Sequence, residues 1–400
     1  MKQVALNELC QINIGKTPSR SNNSYWGKGH KWVAISDMKN KYICETKEEI
    51  TDLAIQETKI KIVPKNTVIM SFKLSIGKLA ITKEEIYTNE AIASFPIIQT
   101  DKITPEYLFY ALKTLKLDSL TDRAVMGSTL NKAKLNQLKI PLPDLEMQNR
   151  IVKVLKQAEE LISNRSSQIQ ALSSLTQSVF WEMFGDPIHQ DKWDVKPLGD
   201  FVERIESGWS PKSESFPAVA GQKGVLKLSA VTKGVYQHNK NKALYADTLF
   251  KEELAVRSGD LLITRKNTRE LVGACAYVFN TPQNLMLPDT IFRIIFKHSQ
   301  KEVHPIFLWR LLNNPRFRQK VTSLAEGSAG SMPNISKKNL IKLGIVIPPM
   351  ELQKQFIEII LKIEKQKELL YKGLLLLEEN FNSIIQRAFK GDLFKGNFVL

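Results

Sequence analysis

The chain has 400 residues, with 57 Lys and Arg against 41 Asp and Glu, and a formal net charge of +16. That length allows two or three domains with sizeable cores, and the scattered, odd-numbered Cys10, Cys44 and Cys275 argue against a disulfide framework or a zinc cluster. No apolar run approaches the ~18 residues of a membrane span and Met1–Glu8 lacks a signal-peptide core, so a cytoplasmic protein without membrane contact is expected.

The first unit, residues 1–144, opens with the short apolar segment Val4–Leu9 and the turn-rich Gly15-Lys16-Thr17-Pro18-Ser19-Arg20. β-Branched and aromatic content predicts strands at Trp32–Ser36, Val68–Phe72, Leu79–Thr82 and Ile92–Ile98. Thr104 caps a helix that starts at Pro105. After Gly127-Ser128 a strand near Leu138–Leu142 closes the unit between Pro141 and Pro143.

Residues 145–186 read as one long helix. Ile151, Leu155, Ala158, Ile162, Arg165, Ile169, Leu172, Thr176, Val179 and Met183 recur in alternating steps of four and three, the seam of a helix packed on another helix. Gly185-Asp186-Pro187 stops it. Adding 205 to each number gives Phe356, Ile360, Ile363, Lys367, Leu370, Leu374, Leu377, Phe381, Ile384 and Ala388. A second long helix therefore occupies 351–392, ahead of a tail at 393–400, and polar Arg165, Thr176 and Lys367 would help fix the register of the pair.

Residues 187–350 repeat the first unit in order. Leu198-Gly199-Asp200-Phe201 echoes Leu6-Asn7-Glu8-Leu9, Gly208-Trp209-Ser210-Pro211 echoes Gly15–Pro18, and Leu261–Arg265 echoes Val68–Phe72. Pro305–Trp309 matches Pro105–Phe109, and Gly330-Ser331 matches Gly127-Ser128. The chain is thus an internal repeat of two similar domains of strands and helices, each followed by a matching long helix.

The charge is uneven. Leu145–Met183 holds four basic and four acidic residues and Glu351–Asp392 seven of each, so the positive excess lies in the globular units. A polyanionic partner follows, nucleic acid first. Side chains suited to phosphates and base edges are Lys16, Thr17, Arg20, Asn22, Lys31, Lys39, Lys73 and Lys78 in the first unit. In the second they are Ser210, Lys212, Lys227, Asn239, Lys240, Arg265, Lys266, Asn267 and Arg269. For each alone, the bland alternative is a solvated turn. No phosphate-binding glycine loop, dinucleotide fingerprint or zinc-protease motif is present, and His30, His189, His238, His298 and His304 are isolated. No catalytic residue and no metal ligand is assigned.

The joint Gly127 to Gln148, with Ile-Pro-Leu-Pro-x-x-Glu-x-Gln, and its copy Gly330 to Gln353 resemble the specificity subunit of type I restriction–modification systems, as do the helices ending in Phe184-Gly185-Asp186 and Phe389-Lys390-Gly391-Asp392. The resemblance spans the chain. It implies the fold class α/β (α+β), two similar target-recognition domains separated by an antiparallel coiled coil of two long helices in a pseudo-twofold internal repeat, each domain reading one half of a bipartite site in double-stranded DNA. It also implies that Pro143, Glu146, Gln148, Pro348, Glu351 and Gln353 dock two modification (methyltransferase) subunits, with restriction (endonuclease/translocase) subunits as an addition. S-adenosylmethionine, ATP and magnesium would belong to those partners, leaving this chain without cofactor. The second joint departs from the first in lacking a proline at the place of Pro141. The competing readings are a stand-alone two-headed DNA-binding regulator and a coiled-coil interaction scaffold.

Overall fold

The structure is a computed structural model describing every residue except 74, 116, 118–121, 125–126, 190, 327–331 and 395–400. Gly330-Ser331 and most of the tail lie outside the described residues. Contacts divide the chain into two units: Met1–Ser167 with Tyr371–Leu400, and Gln168–Leu370.

In the first unit a five-stranded sheet runs in the order Asn13–Ile14, Ile92–Phe95, Val68–Ser71, Leu79–Thr82, Tyr42–Ile43. The central strands are continuous apolar runs because both faces are covered, and every residue of Val68–Ser71 and Ile92–Phe95 is buried. A three-stranded sheet places Trp26–Val33 antiparallel to Glu48–Ile50 and parallel to Tyr87–Thr88. Helix Pro105–Lys113 starts where Thr104 Oγ1 accepts from Tyr107 N at 3.3 Å and buries Tyr107 to Leu112 in the core. Gln3–Ala5 pairs with Lys139–Pro141, tying the chain start to the joint.

The second unit repeats this plan. Its four-stranded sheet runs Val202–Ser207, Ile291–Phe296, Leu261–Thr264, Cys275–Tyr277. Gly224–Leu226 lies antiparallel to Asn241–Ala243 and parallel to Leu285–Met286. Helix Pro305–Leu312 and the pair Asp194–Pro197 with Gly344–Ile347 complete the correspondence.

The predicted strand Ile92–Ile98 ends at Phe95, and two further local differences stand out. The strand predicted at Trp32–Ser36 ends at Val33, because the Asp37 carboxylate accepts from Ala34 N at 2.9 Å and closes a 3-10 turn at Ile35–Asp37. Its copy turns likewise at Leu228–Ala230. Helix Asp52–Thr58, capped by Thr51, left no periodic signal, since only Ala54 in it is buried.

The long helices are Leu145–Phe184 and Met350–Lys390, 40 and 41 residues, or about 60 Å each at 1.5 Å per residue. Gly185 (φ +74°) and Gly391 (φ +86°) end them in the left-handed conformation that glycine adopts without strain. Each helix begins in one unit and ends in the other. In the first unit Ile151 and Leu155, early in one helix, share a core with Phe381, Ile385 and Ala388, late in the other. In the second, Phe180 and Phe184 pack on Phe356, with Phe184–Phe356 centroids 5.1 Å apart. The start of each helix lies beside the end of its partner, so the pair is antiparallel. Each buried Phe contributes about 1.5–3 kcal/mol. The polar interruptions are accommodated singly: Arg165 lies over Gly373, whose missing Cβ would stand 2.3 Å from Nη1, and Thr176 Oγ1 donates to Leu172 O at 3.1 Å.

Candidate nucleic-acid interface

The joints come first because they fix where the domains end. Gln148 is fully buried: Nε2 donates to Lys102 O (2.6 Å) and Pro143 O (2.9 Å), and Oε1 accepts from Thr104 N (3.1 Å). Gln353 repeats the pattern with Glu302 O (2.7 Å), Pro348 O (2.8 Å) and His304 N (2.9 Å). One side chain thus satisfies three buried backbone groups and locks the long helix to the start of the unit's packing helix, Pro105–Lys113 or Pro305–Leu312. This corrects the docking assignment. Gln148 and Gln353 reach no outside surface, Pro348 is buried, and the Pro143 and Pro348 carbonyls serve the joint, whereas Glu146 and Glu351 are exposed.

A second motif recurs one loop away. Gly15 has Asn89 O 2.2 Å from where a Cβ would stand, and Gly208 has Leu287 O at 1.9 Å, so only glycine permits that approach. Thr17 Oγ1 donates to Glu90 and Ser210 Oγ to Asp289. Phe72 N donates to Ala91 O (2.9 Å) and Leu130 N to Phe72 O (3.0 Å); the copy has Arg265 N to Thr290 O and Ile335 N to Arg265 O, both 2.9 Å. Each unit therefore joins four chain segments into one edge. They are the Gly-x-Thr/Ser-Pro turn, the loop carrying the acid, the loop after the central strand, and the hairpin before the joint.

On this edge the sequence candidates separate. In the second unit Lys266 and Arg269 are exposed and make no ion pair among the described residues, while Arg265 is half-buried, with Nε donating to Asn334 Oδ1 at 3.0 Å. Asn267 is corrected: it is buried, with Nδ2 donating to Thr232 Oγ1 at 3.3 Å and Oδ1 accepting from Thr268 N at 2.9 Å, so it shapes the loop. In the first unit Lys78 is exposed and Lys73 half-buried. Lys16 Nζ reaches Thr58 O at 2.7 Å.

Several remaining candidates are engaged. Arg20 pairs with Glu48 and stacks 3.7 Å over the Trp26 ring, Lys31 pairs with Glu84, and Asn22 caps the turn Asn23–Tyr25. Lys39, Lys212, Asn239 and Lys240 are exposed, and Lys240 O accepts from Lys227 N at 2.9 Å, which brings Lys227 to that loop. No group of His, Cys, Asp and Glu among the described residues is placed to hold a metal ion.

The model of the type I restriction modification DNA specificity domain matches this chain twice, over residues 1–172 and 190–378. The chain belongs to that family. The MjaIX specificity subunit of Methanocaldococcus jannaschii, a type I restriction enzyme subunit, is 29% identical over 225 residues, 51% of each chain, so the match spans about half that relative's length. The MjaVIII specificity subunit of the same organism is 26% identical over 340 residues, 79% of this chain and 76% of the relative. The S subunit of a type I restriction–modification system from M. genitalium shares the fold at TM-score 0.55 and 13% identity, covering 97% of this chain and 96% of that one. No helix among the described residues is long and apolar enough to cross a membrane.

The structure also brings forward residues that the sequence did not advertise. Glu90 and Asp289 hold the turns, and the readable signal was an acid next to the same strand in each copy. Glu159 and Glu364, related by the 205-residue offset, receive the packing helix at Tyr110 Oη (2.6 Å) and at Arg310. Lys41, two residues past Lys39, joins Glu159 at 3.2 Å, and burial pushes its pKa down despite that carboxylate. Burial acts to raise Glu159, but the Tyr110 hydrogen bond and the Lys41 and Lys113 charges outweigh it and hold the carboxyl below its usual range.

Proposed function

We propose that this chain is the non-catalytic DNA-specificity subunit of a type I restriction–modification complex, each unit reading one half of a bipartite site in double-stranded DNA. The observation that carries this reading is the four-segment edge, built alike in both units but with different side chains on it. One scaffold with two sets of loop chemistry suits one task performed on two targets. Lys73 and Lys78 on one edge and Arg265, Lys266 and Arg269 on the other supply phosphate and base contacts. The exposed faces of the long helices, with Glu146 and Glu351 at their starts, dock two modification subunits, to which restriction subunits add. S-adenosylmethionine, ATP and magnesium are held by those partners, and the complex works in the cytoplasm.

The deciding experiment exchanges residues 1–143 for the first unit of another family member and reads genomic methylation by sequencing. One half-site should change and the other persist. Change in both half-sites, or unaltered methylation on deleting the gene under expressing conditions, overturns the proposal. In the assembled complex Lys266→Ala should weaken DNA binding and reduce the salt slope of log affinity by about 1; an unchanged slope removes Lys266 from the phosphate contacts.

A further inference from the structure

The second unit contains a cavity of about 410 Å³, a size suited to a small ligand, between its globular domain and its own helix segments. The internal repeat explains its origin. Thr176 and Lys367 line it, and the 205-residue offset relates them to Phe381 and Ile162 in the first unit. There Phe381 is buried in the core and Ile162 packs against the same cluster. The second unit has a short hydroxyl and an ammonium where the first has a ring and a branched alkyl group. Arg310, at the place of Tyr110, and Arg318 complete the wall.

The charges there do not balance. Lys367 is 6% exposed, and its Nζ and the Arg310 guanidinium converge on one carboxylate, Glu364. Arg318 Nη2 donates only to the Glu270 (3.2 Å) and Val272 (2.7 Å) carbonyls. Arg310 Nε and Arg318 Nη1 are buried without an acceptor. Two of these largely buried cations therefore share one carboxylate and Arg318 has no ion pair among the described residues, and uncompensated buried charge is strongly unfavourable. Lys233 and Glu270, one of each sign and both exposed, also line it.

We infer that this cavity is a binding site for a small oxyanion of the phosphate class, present in the second unit alone. Duplex DNA does not suit it, since phosphodiester recognition uses exposed cations and Lys367 is not exposed.

The test is titration calorimetry on the full chain, in its partner complex if isolation requires it, with inorganic phosphate against chloride at matched ionic strength. Wild type should bind one phosphate per chain saturably. Adenosine monophosphate run in parallel separates a nucleotide phosphate from the free ion. The double variant Thr176→Phe/Lys367→Ile, which installs the first unit's residues, should abolish binding while leaving DNA affinity unchanged. Lys367→Met, which keeps the side-chain length, should weaken phosphate binding at least tenfold and carries the test if the filled variant fails to fold. No saturable phosphate binding, binding unchanged in Lys367→Met, or displacement of phosphate by duplex DNA would each overturn the site.

Discussion

Gln148 and Gln353 bind the same three kinds of backbone group at matching distances, yet about three turns further along the helices the units part company. Glu159 meets a phenol and two lysines that remain partly exposed, whereas Glu364 meets Arg310 and the buried Lys367. The joint must end a strand, start a long helix and cap the packing helix at once, which leaves one geometry and one side chain able to serve it. The clamp beyond it only has to satisfy a carboxylate, and several donors can do so. Divergence is therefore tolerated where one group has interchangeable partners and resisted where one side chain answers three backbone groups.

That contrast can be broken by substitution. Glu364→Gln removes the only carboxylate paired with Arg310 and Lys367 among the described residues and should destabilise the second unit by about 3–5 kcal/mol. Glu159→Gln, at a more exposed cluster, should cost about 1–2 kcal/mol. Denaturant unfolding followed by Trp fluorescence measures both, and equal losses would mean that the two clamps are equivalent. Gln148→Leu and Gln353→Leu should each cost roughly 2–4 kcal/mol, because buried N–H and C=O groups are left unpaired. Here the two values should agree; a wide gap would contradict the matching geometry.

A third comparison is titratable. Thr104 caps the first packing helix through its hydroxyl, while in the second unit His304 Nδ1 accepts from Ile306 N at 3.1 Å. Burial lowers the His304 pKa from 6.5. As pH falls through the ordinary imidazole range the unfolded chain takes up the proton first, so the second unit loses stability until the folded imidazole protonates too. The loss should be on the order of 1 kcal/mol, the size of a lost N-cap, and His304→Thr should abolish it. A pH series of unfolding midpoints in which the variant tracks wild type would refute this. The smallest effect belongs to Gly373→Ala: only the flexible Arg165 tip must move, and Ala gains up to ~1 kcal/mol of helix propensity. A large drop in melting temperature would show that Arg165 cannot shift.

Much of this was legible in the sequence. The seam at 151–183, its copy 205 residues on and the order of strands all rest on periodicity and local composition, and the structure has the elements where those patterns lie. The site was less legible because its logic is tertiary. Thr17 and Glu90 are 73 residues apart, and Ser210 and Asp289 are 79 apart. A glutamine after a proline-rich turn reads as surface until Lys102 O and Thr104 N are brought to it. Asn267 sits among cations in a loop and looks like a base reader, but Pro333 O accepts from its N–H and Thr232 takes its amide.

The division of the chain has a consequence for synthesis. Gln168–Leu370 is continuous, so the second unit holds all its parts once Leu370 has left the ribosome. The first unit, begun at Met1, waits for Phe381, Ile385, Ala388 and Phe389 to seal its core. At ~5–20 residues per second, the half of the protein made first is the half that finishes folding last, with an open apolar groove for tens of seconds. Chaperone capture and proteolytic nicking of the nascent chain should therefore concentrate on the amino-terminal domain, and a chain stopped after Leu370 should keep a folded second unit beside an unsealed first.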